Sequence, residues 1–125
     1  MIKNATPDDQ MLIIETCQGV KKINLGCKIR QALVFENKVF ARFDSSCFRG
    51  TEFHNRNIIC LDEEGKQRWR VEDPDVYRSG KIKTEAPFTS IRILDNKLEG
   101  GTWDGFDIII DVETGKLMGD WQFTK

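Results

Sequence analysis

Residues 33–71, LVFENKVFARF…NIICLDEEGKQRWRV, and residues 92–123, RILDNKLEGGTW…DIIIDVETGKLMGDWQF, follow one plan. Each opens with an apolar run broken by an Asn-Lys pair, at Asn37-Lys38 and at Asn96-Lys97. Each closes with a second apolar run, an acidic Gly-Lys turn at Gly65-Lys66 or Gly115-Lys116, and a strand carrying tryptophan. Glycine supplies the positive φ that a short hairpin needs, and asparagine tolerates the left-handed region. A repeated supersecondary unit needs a neighbour to bury its apolar face. The repeat therefore predicts an all-β chain of two antiparallel meander sheets. These blade-like units span about 29–72 and 88–123 and pack as a sandwich or partly open barrel.

Period-two alternation supports strands throughout. Trp69 and Val71 share a face opposite Arg68, Arg70 and Glu72, and Leu117, Gly119, Trp121 and Phe123 share one opposite Met118, Asp120 and Gln122. Upstream, Ile23 and Leu25 alternate with Lys22 and Asn24. Thr6-Pro7-Asp8-Asp9 has the form of a helix start, with a capping threonine, proline at the first helical position and acids near the dipole end. Met11-Leu12-Ile13-Ile14 suits strand or buried helix equally. Residues 72–87 carry Asp73-Pro74-Asp75, Ser79-Gly80 and Ala86-Pro87, which mark a connection with room for one helical turn around Val76-Tyr77. At most one or two short helical turns are expected in a single domain, 1–125.

The copies differ in one place. Asn37 and Asn96 lie 59 positions apart and Gly65 and Gly115 only 50, so the first copy carries about nine extra residues. They fall in the loop 44–57, DSSCFRGTEFHNRN, which has no counterpart in the second copy.

The blocks CLDEEGKQRW and IDVETGKL resemble the third-strand, turn and fourth-strand portion of quinoprotein-type (PQQ-like) β-propeller blades. That family's repeat reads as an apolar residue, Leu-Asp, a short spacer, Gly-Lys and, four after the glycine, Trp. Cys60, Leu61, Asp62, Gly65, Lys66 and Trp69 match it, with a turn one residue short. Asp111, Thr114, Gly115 and Lys116 match it in the second copy, where Gly119 stands at the tryptophan position. The resemblance implies blade-like sheets. Propellers close with four or more blades, and this chain has two copies, with room for a fragment of a third in residues 12–30. Quinone binding belongs to the full propeller channel, so no cofactor is expected.

Composition narrows the function classes. In 125 residues, 19 basic side chains meet 20 acidic ones, for a net charge of −1. No long-range field would gather nucleic acid or an anionic membrane surface. The closest approach to a basic patch, Lys66, Arg68, Arg70, Arg78, Lys81 and Lys83, is interleaved with Glu72, Asp73, Asp75 and Glu85 and reads as a solvated face. The runs such as Ile108-Ile109-Ile110 are too short to span a bilayer. The start, MIKNATPDDQ, lacks the apolar stretch of a secretory signal. Cys17, Cys27, Cys47 and Cys60 form no C-x2-C pair, which argues against structural zinc. These features predict a cytoplasmic protein, monomer or homo-oligomer, with reduced thiols and no bound metal.

Three arrangements could carry chemistry. His54 lies seven residues after Cys47, near Asp44 and Glu52, and a Cys–His pair oriented by a carboxylate is a nucleophile arrangement. The plainer reading is a surface histidine beside a cysteine packed as a small hydrophobe. Asp104, Asp107 and Asp111 could pair as acids across a cleft, or be solvated acids at strand ends. DEEGK and DVETGK lack the first glycine of a P-loop. The aromatics are more telling. Phe48, Arg49, Phe53 and His54 on the inserted loop, with Trp103, Asp104 and Phe106 at the 102–107 turn, are residue types that anchor binding surfaces. The competing reading has these rings folded back to plug the sandwich. The expectation is a small protein-binding module, of which toxin-neutralising immunity proteins are one type. The alternatives are a small-molecule or carbohydrate-binding domain and a Cys/His hydrolase.

Overall fold

The pairs Glu36-Asn37 and Asp95-Asn96 adopt positive φ at both residues (50° and 60°, 51° and 62°) and close two-residue hairpins between Phe35 and Lys38 and between Leu94 and Lys97. Two left-handed residues in succession match the twist of paired strands. The turns thus sit one residue earlier than the Asn-Lys pairs predicted. Downstream, Asp62 and Asp111 close the Gly-Lys turns: the Asp62 carboxylate accepts from the Glu64 and Lys66 amides at 2.9 and 3.0 Å, and that of Asp111 from the Glu113 amide at 2.8 Å. Gly65 and Gly115 supply φ of 85° and 78°.

The computed structural model describes residues 1–74 and 86–123, with side chains to Met118. The helical turn expected around Val76-Tyr77, the basic residues Arg78, Lys81 and Lys83, and the side chains of Trp121 and Phe123 lie outside that description. The described chain is all-β, with no α-helix. Its strands are β1 Ile2–Asp8, β2 Met11–Thr16, β3 Gly19–Asn24, β4 Ile29–Phe35, β5 Lys38–Phe43, β6 Ile58–Leu61, β7 Gln67–Arg70, β8 Phe88–Leu94, β9 Lys97–Thr102, β10 Phe106–Ile110 and β11 Leu117–Phe123. Sequential neighbours pair antiparallel into three sheets, β1-β2-β3, β4-β5-β6-β7 and β8-β9-β10-β11, none closed into a barrel.

The architecture therefore has three sheets where the repeat predicted two. The added sheet comes from residues 2–24, more than the fragment expected there. Leu12 and Ile14 are fully buried with Ile13 between them only half-buried, which settles 11–16 as strand. The predicted helix start is strand as well. Pro7 lies in β1, which pairs with β2 alone, and an edge strand tolerates a residue that cannot donate.

Burial explains the order of the sheets. Ile2, Leu12 and Ile14 of the first sheet pack against Val39, Ala41, Phe43, Ile59 and Leu61 of the second. The opposite face of the second, with Phe40, Ile58, Cys60 and Trp69, packs against Phe88, Ile91, Leu98, Ile108 and Ile110 of the third. Strand β6 is buried on both faces, which is why Ile58–Leu61 is an unbroken apolar run. The Cys60 thiol is pushed up to about 12 by that burial.

Polar side chains tie the second and third sheets together. Gln31 donates to the Ile91 carbonyl at 2.7 Å and accepts from the Ile91 amide at 3.0 Å. Asn57, fully buried, donates to the Phe43 and Phe88 carbonyls and accepts from the Phe88 amide. The Trp69 indole donates to the Val112 carbonyl at 2.9 Å and lies flat on Gly115, where a Cβ would stand 2.5 Å from its ring.

The thiol expectation is corrected: Cys27 and Cys47 form a disulfide, with Cα atoms 6.0 Å apart. Sequence spacing could not show this, because the bridge depends on β4 and β5 bringing their two ends together. Cys17 is an exposed free thiol and Cys60 a buried one.

Candidate functional site

The inserted loop 44–57 folds as consecutive turns, with amide-to-carbonyl bonds from Cys47 to Asp44, Thr51 to Phe48, His54 to Thr51 and Arg56 to Phe53. Its first residue is fixed from three sides. The Asp44 carboxylate accepts from the Ser46 amide at 2.9 Å, the Ser46 hydroxyl at 2.7 Å and Arg30 Nε at 2.8 Å. The Ser46 bonds, aided by Arg30, hold its pKa down at about 2. The disulfide then pins Cys47 to Cys27, in the link between β3 and β4.

The predicted contact residues divide into two groups. Phe48 and Phe53 fold back: Phe48 meets Phe43 edge-on at 5.3 Å and Phe53 at 6.3 Å. The Arg70 guanidinium lies 4.8 Å from the Phe48 ring and 4.5 Å from that of Phe53, with Arg56 5.6 Å from Phe53. Burial, with Arg56 nearby, lowers the Arg70 pKa. These two rings take the plugging role that was the competing reading. Phe106 is half-buried against the core of the second and third sheets.

Arg49, His54 and Trp103 converge. With Ser45 and Pro87 they line one cavity of about 190 Å³ between the inserted loop and the 102–107 turn. Trp103 is 71% exposed and Arg49 is exposed, whereas His54 is buried at 8% rather than lying on the surface. Two asparagines missed in the sequence set this geometry. Asn55 Oδ1 accepts from the Ala86 amide at 2.7 Å, and Asn57 clasps Phe88, so Pro87 is held between them. The Pro87 carbonyl accepts from the Trp103 amide at 2.9 Å, which brings the turn to the loop. Thr102 completes the turn, donating to Asp104 Oδ1 at 2.6 Å and accepting from the Phe106 amide at 3.0 Å. Asp104 thus serves the turn. Ser45 and Pro87 had no signal of their own, being single residues in polar or proline-marked stretches.

The Cys47–His54 nucleophile is not formed, because the Cys47 sulfur is spent in the disulfide and carries no thiol to activate. Asp107 is half-buried, next to the buried Ile108. Among the described residues, no group of three or more His, Cys, Asp or Glu could hold a metal.

The model of one family, described as a domain of unknown function (DUF7957), matches residues 2–121. The chain belongs to this family. A search of the curated proteins finds no match. Solved structures similar to this DUF7957 chain include BamB from Moraxella catarrhalis, a β-propeller protein, with TM-score 0.54 and 17% identity over 98% of this chain and 35% of BamB. Two computationally designed proteins also resemble it. Ika4 gives TM-score 0.51 at 14% identity, over 96% of this chain and 71% of Ika4, and Ika8 gives 0.50 at 11%, over 94% and 35%. This chain spans about a third of the length of BamB and of Ika8. At these identities the likeness is one of fold: the sheets are stacked as propeller blades are. Among the described residues, no helix is long and apolar enough to cross a membrane.

Proposed function

We propose that this DUF7957 chain is a protein-binding module whose contact surface is the cleft between loop 44–57 and the Trp103 turn. The observation that carries the reading is the convergence of Arg49, His54 and Trp103 from two distant stretches around one cavity, with the indole left open to solvent. Tryptophan and arginine beside a small depression are the residue types that dominate contact energetics at interfaces. The cavity, at about 190 Å³, is smaller than the roughly 300–1,000 Å³ usual for small-molecule sites. That favours one anchoring side chain of a partner over an enclosed metabolite or sugar. A toxin-neutralising role is one form the proposal could take. Kinship with quinoprotein-type blades also belongs to it, resting on Leu61, Asp62, Gly65, Lys66 and Trp69, and it brings no cofactor. The Cys27–Cys47 bridge favours an oxidising compartment over the cytoplasm suggested by the polar first residues.

The test is affinity capture from the native host with the wild-type chain, Arg49→Ala and Trp103→Ala. Both side chains are exposed, so both variants should keep the melting temperature nearly unchanged and lose the captured partner by about tenfold or more. Undiminished capture by both variants would remove this surface from consideration.

A further inference from the structure

We infer that the group this cleft accepts is a glutamate side chain of the partner, a specificity that rests on the protein-binding reading above. Arg49 is the cation of the site. Its guanidinium makes no hydrogen bond or ion pair with the described residues, and only its backbone amide is engaged, to the Ser46 carbonyl. Glu52 of the loop is exposed, while two other acids of these segments have other work. Asp44 is held by Ser46 and Arg30, and Asp104 by Thr102. An exposed arginine at the rim of a cavity attracts a carboxylate, which it can hold through two parallel N–H bonds. Ser45 and His54 line the same space, and both are residue types that can hydrogen-bond a carboxylate.

The remainder of the lining selects the shape of the acid. Trp103 and Pro87 are the apolar members of that lining. Two methylenes can lie against them while the carboxylate reaches Arg49. Glutamate has this stem, and aspartate is one carbon shorter. A cavity of about 190 Å³ has room for one such side chain.

The inference is tested on the full chain with three probes: a blocked Gly-Glu-Gly tripeptide, its Gly-Gln-Gly counterpart, and acetate. Each is titrated while the Trp103 indole N–H resonance is followed, assigned by its loss in Trp103→Phe. The glutamyl peptide should shift that resonance saturably, with a Kd on the order of 1 mM for a single anchor. The glutaminyl peptide should bind about tenfold more weakly, and Arg49→Gln should abolish the difference. Equal binding of the two peptides, or no saturable shift, overturns the carboxylate. Acetate binding as well as the glutamyl peptide overturns the side-chain source. Each of these results leaves the surface itself to be judged by partner capture with Trp103→Ala, so failure of the specificity is distinguishable from failure of the protein-binding reading.

Discussion

The second and third sheets are built alike and finished differently. Both begin with a hairpin closed by two left-handed residues, and both end on an Asp-capped Gly-Lys turn. Between their middle strands, however, the second sheet carries loop 44–57, with a disulfide, an aromatic stack and an arginine at the rim of a cleft. The third turns in three residues, Trp103-Asp104-Gly105, and offers only its indole. The hairpins are scaffold, set by twist and burial. What hairpin geometry leaves free is the linker between middle strands, and there the two units contribute opposite walls of one cavity.

The largest expected effect breaks the contact between the units. Trp69 lies on Gly115 and donates across to Val112, so Trp69→Ala should cost about 3–5 kcal/mol in urea unfolding. A cost below about 1 kcal/mol would mean that the two sheets do not depend on this ring. Next comes the disulfide, which the third sheet lacks. The bridge spans 20 residues, and replacing both Cys27 and Cys47 by serine should cost about 3 kcal/mol of stability on the chain-entropy account. Addition of reductant to the wild type should reproduce that loss and leave the double variant unmoved. The smallest effect is an acid one. The folded pKa of Asp44 is depressed to about 2, so its contribution is complete above the unfolded carboxylate value of about 3.9 and is lost as pH falls from there towards 2. The amide resonances of Ser46 and Cys47 should shift over that window in the wild type, and Asp44→Asn should remove the transition.

Much of this was legible in the chain. The Gly-Lys turns, the period of two around Trp69 and the unbroken run at Ile58–Leu61 follow from rules that act over a few residues. The first sheet was half hidden because Thr6-Pro7-Asp8-Asp9 satisfies the local grammar of a helix start, and only pairing with β2 makes it a strand. The candidate cleft was legible in part, since Arg49, His54 and Trp103, which line it, were among the residues singled out. Its division was not. Whether Phe48 faces a partner or Phe43 depends on the disulfide and on Arg70, both remote in sequence. Pro87 enters the cleft only because Asn55 and Asn57 hold its neighbours, a contact no spacing rule reports.

The position of β6 has one more consequence. Its strand belongs to the one sheet with a neighbour on each side, and all four of its residues are buried. A stack of units joined face to face opens from its ends, as one-dimensional arrays do. Loss of the first sheet or of the third still leaves β6 covered on one face. Its amides, at Ile59 and Cys60, should therefore be the slowest in the chain to trade hydrogen for deuterium, and their rate should report the stability of the whole molecule rather than of any part.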